Sequence, residues 1–250
     1  MVERLTNKIL AAFREFGEPR FSREVSDVQD YSIKVIGHVE TDFKEKFGIP
    51  RQSGIVKSAA GKIVFEPEFK NTDALRGLDG YSHLWIIWQF SEAVRDTWSP
   101  TVRPPRMGGN KRMGVFATRS PFRPNSLGLS CVRIKRIDFE NAEIYVSGID
   151  MLDGTPIFDI KPYLPYVDSK TDAVGGFADE YKEYALEVSI TDELLCMLPG
   201  EHRETVIDIL SGDPRPSYQN DPTRIYGMNF ADYNIKFTVD NGVLTVLEIE

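Results

Sequence analysis

Apolar residues recur along this chain at two spacings. Near the N-terminus Leu5, Ile9, Ala12, Phe13 and Phe16 fall three or four apart, the spacing of one helix face, and Gly17 with Pro19 supplies a stop. This predicts a helical extension over residues 1–30. From Tyr31 the period drops to two. Ile33, Val35, Gly37 and Val39 read as a strand, and residues 55–56 and 62–65 as strand segments around a turn at Ala59-Ala60-Gly61. Further strands are predicted over 82–90, 113–118, 127–137 and 142–149, separated by Pro- and Gly-rich connections. Many short strands with almost no helix between them point to a closed β-barrel or a sandwich.

After Tyr166 the pattern changes again. Residues 192–198 and 202–210 read as two short helices, the second ended by Gly212 and Pro214. Alternating runs at 235–239 and 243–249 flank Asp240-Asn241-Gly242, and Asn-Gly in that setting is a strong hairpin signal. The expected organisation is a helical extension over 1–30, a β domain over 31–169 and a small α+β domain over 170–250.

Composition narrows the class. With 250 residues, 41% of them hydrophobic and 27% charged, the chain suits one globular core and a smaller second unit. It has no apolar run of membrane-spanning length, and Arg14 and Glu15 interrupt any signal-peptide core. Cys131 and Cys196 stand far apart outside any CxxC pattern, so free thiols and a cytoplasmic location are expected. His38, His83 and His202 share no ligand spacing, so no metal is expected.

A net charge of −8 argues against a nucleic-acid partner, but the distribution reverses the argument. Between Thr97 and Ile137 stand Arg103, Arg106, Lys111, Arg112, Arg119, Arg123, Arg133, Lys135 and Arg136, with no acidic residue. An acidic protein with its cations segregated in this way has a local field opposite in sign to its total. Pro, Gly and Asn interleave the arginines, which favours a site for phosphates or carboxylates over a solvated strand.

Three other stretches carry candidate chemistry. "GIPRQSG", residues 48–54, sets Arg51 and Gln52 after a proline and between two glycines, as a ligand loop or an ordinary polar turn. "GIDMLDGTPIFDIKPYLPYVD", residues 148–168, crowds Asp150, Asp153, Asp159, Lys161, Tyr163 and Tyr166 onto a stretch read as a proline-stiffened loop, which loses little entropy on binding a ligand. There Asp153 either accepts from ribose hydroxyls or simply caps its turn. "DPRPSY", residues 213–218, offers Arg215 and Tyr218 to a base or a phosphate, or only closes the preceding helix. "GIVKSAAGK" has the wrong spacing for a P-loop, and no GxGxxG occurs.

Taken together, "PRQSG", "ALRGLDGYSHLW", "TVRPPRMGGNKRMGVFATRSPFRPNSLGLS" and "LDGTPIFDIKPYLPY" resemble the TsaA/TrmO family of tRNA methyltransferases, over roughly residues 31–168. "DPRPSY" and "YGMNFADYNIKF" extend the resemblance into the C-terminal region. It implies a mostly antiparallel TsaA-like β-barrel, and a homodimer that binds S-adenosylmethionine near the subunit interface without a metal. It implies methylation of the exocyclic nitrogen of threonylcarbamoyladenosine beside the tRNA anticodon. It carries cofactor contacts onto Pro50, Arg51, Gln52, Arg119, Leu129, Asp153, Gly154, Thr155 and Pro156. It also places Ser91 at a cofactor contact, where many relatives have His after the strand ending at Phe90. Arg103, Arg106, Lys111, Arg112, Arg123, Arg215 and Tyr218 are then expected at the tRNA. Asp150, Asp153, Asp159, Lys161 and Tyr163 remain candidates for the acceptor's proton, with none singled out. Two rival classes stand beside this one: a non-catalytic RNA-binding module and a methyltransferase for a small molecule.

Overall fold

Alternation of apolar and polar residues builds a chain that is mostly β. The structure, a computed structural model, describes residues 30–104, 111–181, 184–216, 219 and 221–250. The expected N-terminal helix, together with Arg106 and Tyr218, lies outside the described residues. Residues Lys34–Glu250 cluster as one unit.

Strands β1 (Gly37–Thr41), β2 (Ala60–Phe65) and β3 (His83–Gln89) come first. A two-stranded ribbon follows, β4 (Thr101–Val102) with β5 (Met113–Gly114). Then come β6 (Leu127–Asp138), β7 (Glu143–Ser147) and β8 (Pro156–Pro162). The six longer strands close into a barrel in the order β1-β2-β7-β6-β3-β8, every pairing antiparallel. This is the barrel the resemblance implied, and closure leaves no exposed sheet edge around most of its rim.

The barrel interior follows the two-residue period. Leu84, Ile86 and Trp88 of β3 point inward with Gly128, Ser130 and Val132 of β6. A Cβ at Gly128 would lie 2.2 Å from the Trp88 ring, so only glycine lets the indole lie across β6. Trp88 Nε1 donates to Ser130 Oγ at 2.9 Å, which satisfies the one polar group the indole brings inside.

Four expectations change. The first strand starts at Gly37, with Ile33 and Val35 exposed before it. Residues 55–56 form turns, though Val56 is buried. The stretch 113–118 is a strand for two residues only, then one turn of 3-10 helix over Val115–Ala117. The stretch read as a stiff loop contains β8, which closes the barrel between β3 and β1. Its prolines stand at its two ends, the places a strand tolerates them.

The C-terminal region holds a four-stranded sheet built from β9 (Glu187–Ser189), β10 (Tyr226–Phe230), β11 (Tyr233–Asp240) and β12 (Val243–Ile249), in the order β10-β11-β12-β9. After the short α1 (Pro165–Asp168), helices α2 (Asp192–Met197) and α3 (Gly200–Ser211) fall where the pattern put them. The predicted hairpin is β11-β12, with Asn241 and Gly242 both at positive φ. Val206, Ile209 and Leu210 of α3 join Met228, Phe237 and Leu244 in a core continuous with that of the barrel.

Candidate functional site

One gap in the barrel places the site. β6 pairs with β3 along Leu127 to Arg133, but with β7 only from Arg133 onward. Among the described residues, the other edge of residues 127–132 therefore has no strand beside it. The loop 48–54 covers it: Cys131 N donates to Ser53 Oγ at 3.0 Å. Strand amides alternate in direction, so Leu129 presents its amide to the same edge. Leu129 is 58% exposed, its side chain on the outer face.

The loop is held at both ends. Gly48 and Gly54 adopt φ of 97° and 77°, which a side chain would strain. Gly54 N donates to Gly148 O at 2.8 Å, so the loop lies against the chain leaving β7. Between these glycines Gln52 Oε1 accepts from Arg119 Nη1. Asp150 Oδ1 accepts from Ser130 Oγ at 2.6 Å, and Asp150 also accepts from the Ser53 amide. Burial pushes the Asp150 carboxyl up to about 6, against the pull of those hydrogen bonds and of the Arg119 charge. Gln52, Ser53, Arg119, Ser130 and Asp150 thus form one polar cluster at the edge of β6 that β7 leaves unpaired.

Several expected residues lie elsewhere or face other partners. Pro50 is buried. Arg51 turns toward the C-terminal region, where Nη2 donates to the carbonyls of Asp213 at 2.9 Å and Arg215 at 3.4 Å. Asp153 accepts from the Thr41 amide at 2.9 Å and pairs with Lys44 at 2.9 Å. Partial burial opposes its charge, but Lys44 and the amide still hold the carboxyl below its ordinary value. The backbone of Gly154 and Thr155 is zipped to Val39, and the Thr155 side chain is buried, bonded to Leu152 O at 2.6 Å. Ser91 is exposed at the start of a 3-10 turn. Asp159 pairs with Lys161 at 2.7 Å, and the Tyr163 ring packs 5.8 Å from that of Trp85. By register Asp159, Ile87 and Leu129 share a row on the outer face of β8, β3 and β6.

The basic residues divide. Arg103, Lys111 and Arg112 are exposed on and beside the β4-β5 ribbon. Arg123 folds back onto its own loop, donating to Thr118 O at 3.0 Å and Ser120 O at 3.4 Å. Arg215, expected at a phosphate, is instead buried with Asp213: Nε donates to Oδ1 at 2.8 Å and Nη2 to Oδ2 at 3.0 Å. A guanidinium clamped at two of its nitrogens by a carboxylate inside the protein braces the fold and does not face an external anion, although its Nη1 is buried with no hydrogen-bond partner among the described residues.

Sequence reasoning missed Ser53 and Ser130. Ser130 carried a usable signal, a hydroxyl at an inward position of an otherwise apolar alternation. Among the described residues no cluster of His, Cys, Asp and Glu could hold a metal, and no helix is long and apolar enough to cross a membrane.

Comparison with known proteins adds to this geometry. Residues 38–169 match the tRNA-methyltransferase O N-terminal domain, and residues 183–250 match the TrmO C-terminal domain. The chain is 38% identical over 233 residues to tRNA (adenine(37)-N6)-methyltransferase of Escherichia coli, covering 89% of this chain and 99% of that protein. A Pseudomonas aeruginosa protein provisionally named an S-adenosylmethionine-dependent methyltransferase is 41% identical over 214 residues, 82% of this chain and 91% of its own length. The crystal structure of TrmO from Pseudomonas aeruginosa superposes with a TM-score of 0.74 at 31% identity, over 90% of this chain and all of that one.

Proposed function

This chain belongs to the tRNA-methyltransferase O family and is a methyltransferase, and we propose that it methylates the exocyclic N6 of threonylcarbamoyladenosine at position 37 of tRNA. The observation that carries this reading is the cluster of Gln52, Arg119 and Asp150 at the edge of β6 that β7 leaves unpaired, in a chain whose relative of that name matches along nearly its whole length.

The donor set fits S-adenosylmethionine. Arg119 is an exposed guanidinium suited to a carboxylate. The Leu129 amide and exposed side chain suit the edge and face of an adenine. The Gly154 backbone, at φ 73° with open space where a Cβ would stand, allows close approach of a ribose, whose hydroxyls would share the Asp153 carboxylate with Lys44 and the Thr41 amide. When bound, that cofactor supplies an electrophilic methyl group on a sulfonium.

The chain's own work is alignment and proton removal. Gln52 holds the Arg119 fork in place, and fixed groups of this kind lower the entropic part of a transfer barrier. The acceptor nitrogen must lose its proton. Asp159 and Asp153 already face lysines, whereas Asp150 titrates at about 6, where a base works well near neutral pH. We assign that proton to Asp150. The basic ribbon takes the tRNA backbone, and the threonyl carboxylate needs one further cation from the same stretch. A second copy of the chain completes the site, as the resemblance implies; light scattering should report a homodimer, and a fully active monomer would refute that part.

Mass spectrometry of tRNA nucleosides from cells with and without the gene tests the reading. Loss of the N6-methylated nucleoside with gain of its unmethylated parent is expected. Unchanged nucleosides would refute it, and turnover without tRNA would favour a small-molecule substrate.

A further inference from the structure

The segments that enter and leave the β4-β5 ribbon, the second of which runs on to Arg119, expose two large rings that the proposed chemistry leaves unused. Trp98 is 51% and Phe116 is 72% exposed, and their centroids lie 6.0 Å apart with planes 33° from parallel. Both stand at the base of the β4-β5 ribbon, where Val115 N donates to Pro100 O at 2.9 Å and ties its two limbs together. Phe122, by contrast, is capped by Arg95, whose guanidinium lies 3.7 Å from its ring centroid. Among the described residues no cation caps Trp98 or Phe116 so closely; Arg123 is 6.0 Å from the Phe116 centroid.

Their electrical surroundings decide what fits. From Arg95 to Arg123 the chain holds Arg95, Arg103, Arg106, Lys111, Arg112, Arg119 and Arg123 against Asp96 alone. A second copy of this chain that met the patch with its own equivalent patch would bring the same cations to it. RNA brings phosphates to the cations and the flat face of a base to the rings, and base–aromatic stacking is the common way proteins hold unpaired nucleotides. The rings also stand close in sequence to Arg119, so a base stacked there neighbours the one being modified.

We propose that Trp98 and Phe116 form a stacking step for an unpaired base of the RNA substrate next to the target adenosine. This rests on the tRNA reading above and goes further, because it assigns binding to two apolar side chains and not to charge. The two contributions separate by salt: stacking releases no counterions, whereas each lost phosphate contact lowers the salt slope by about one.

The test uses the full chain and a fluorescein-labelled anticodon stem-loop, with whole tRNA beside it, in anisotropy titrations from about 50 to 200 mM salt. Trp98→Ala and Phe116→Ala should each weaken binding about tenfold at every salt concentration with the slope unchanged. Trp98→Tyr and Phe116→Tyr should restore most of it, and Arg112→Ala should instead flatten the slope. Calorimetry with S-adenosylmethionine shows that the variants keep their fold. Wild-type binding with unaltered affinity in both alanine variants would overturn the step alone. So would variants that weaken only because light scattering finds them dissociated, which would make the rings a contact between copies. A wild-type protein that binds no tRNA would overturn the tRNA reading, and this step with it.

Discussion

Asp150→Asn isolates the charge at the centre of the polar cluster. Asparagine keeps the size of the side chain and an oxygen for the Ser130 hydroxyl, but it cannot ionise. In the folded protein burial raises the carboxyl from 3.8 to about 6. A shift of just over two units at about 1.4 kcal/mol per unit makes the ionised form cost about 3 kcal/mol. The raised value fixes the sign. Below pH 3.8 Asp150 is protonated whether folded or unfolded; as pH climbs through about 6 the wild type loses stability that the variant keeps. The stability of Asp150→Asn minus that of wild type should therefore rise by about 2.5 kcal/mol between pH 4 and 7, then level off, the rest of the change lying below pH 4. A constant offset from imperfect hydrogen bonds leaves this profile intact. Urea unfolding followed by tryptophan fluorescence at several pH values measures it. A difference flat to within about 0.5 kcal/mol, or one that falls with pH, would refute the placement of a buried carboxylate there.

Arg119→Ala should weaken S-adenosylmethionine binding about tenfold or more by calorimetry, the usual cost of one charged contact, with unfolding unchanged; equal affinity would remove Arg119 from the cofactor. Asp213→Asn should destabilise the protein by about 3 kcal/mol or more at neutral pH, since it leaves the Arg215 charge buried without its partner. Burial opposes the Asp213 charge, but Arg215 and Tyr184 hold the carboxyl below its ordinary value. That loss should therefore shrink in acid, where the wild-type carboxyl also protonates, and a pH-independent loss would contradict the pairing. Gly128→Ala drives a methyl group into the Trp88 ring and should cost about 1–3 kcal/mol in urea unfolding, with an altered tryptophan emission; a silent substitution would mean the indole does not lie across β6.

The barrel was legible where one face of a strand is buried. β3 and β6 carry clean alternation, and the structure places them within a residue or two of the predicted ends. β8 was hidden by Pro156 and Pro162, which read as loop punctuation until barrel closure set them at strand ends. β9 and β10 were missed because three residues, or five broken by Gly227, are too short for a period to show. At the site, Gln52 and Arg119 were found as motif residues, but their contact spans 67 positions and only folding reveals it. Arg215 misled because its partner stands two residues away, and the spacing alone does not show that the pair is buried. Asp150 was one carboxylate among several, and burial beside Ser130 is what sets it apart.

The central claim is that this enzyme reads the threonylcarbamoyl group on its target adenosine. Purified protein, labelled S-adenosylmethionine and one tRNA prepared with and without that group test it most directly. Methyl incorporation into the modified form alone, with both forms binding comparably, is the predicted result. Equal incorporation into both forms would contradict it.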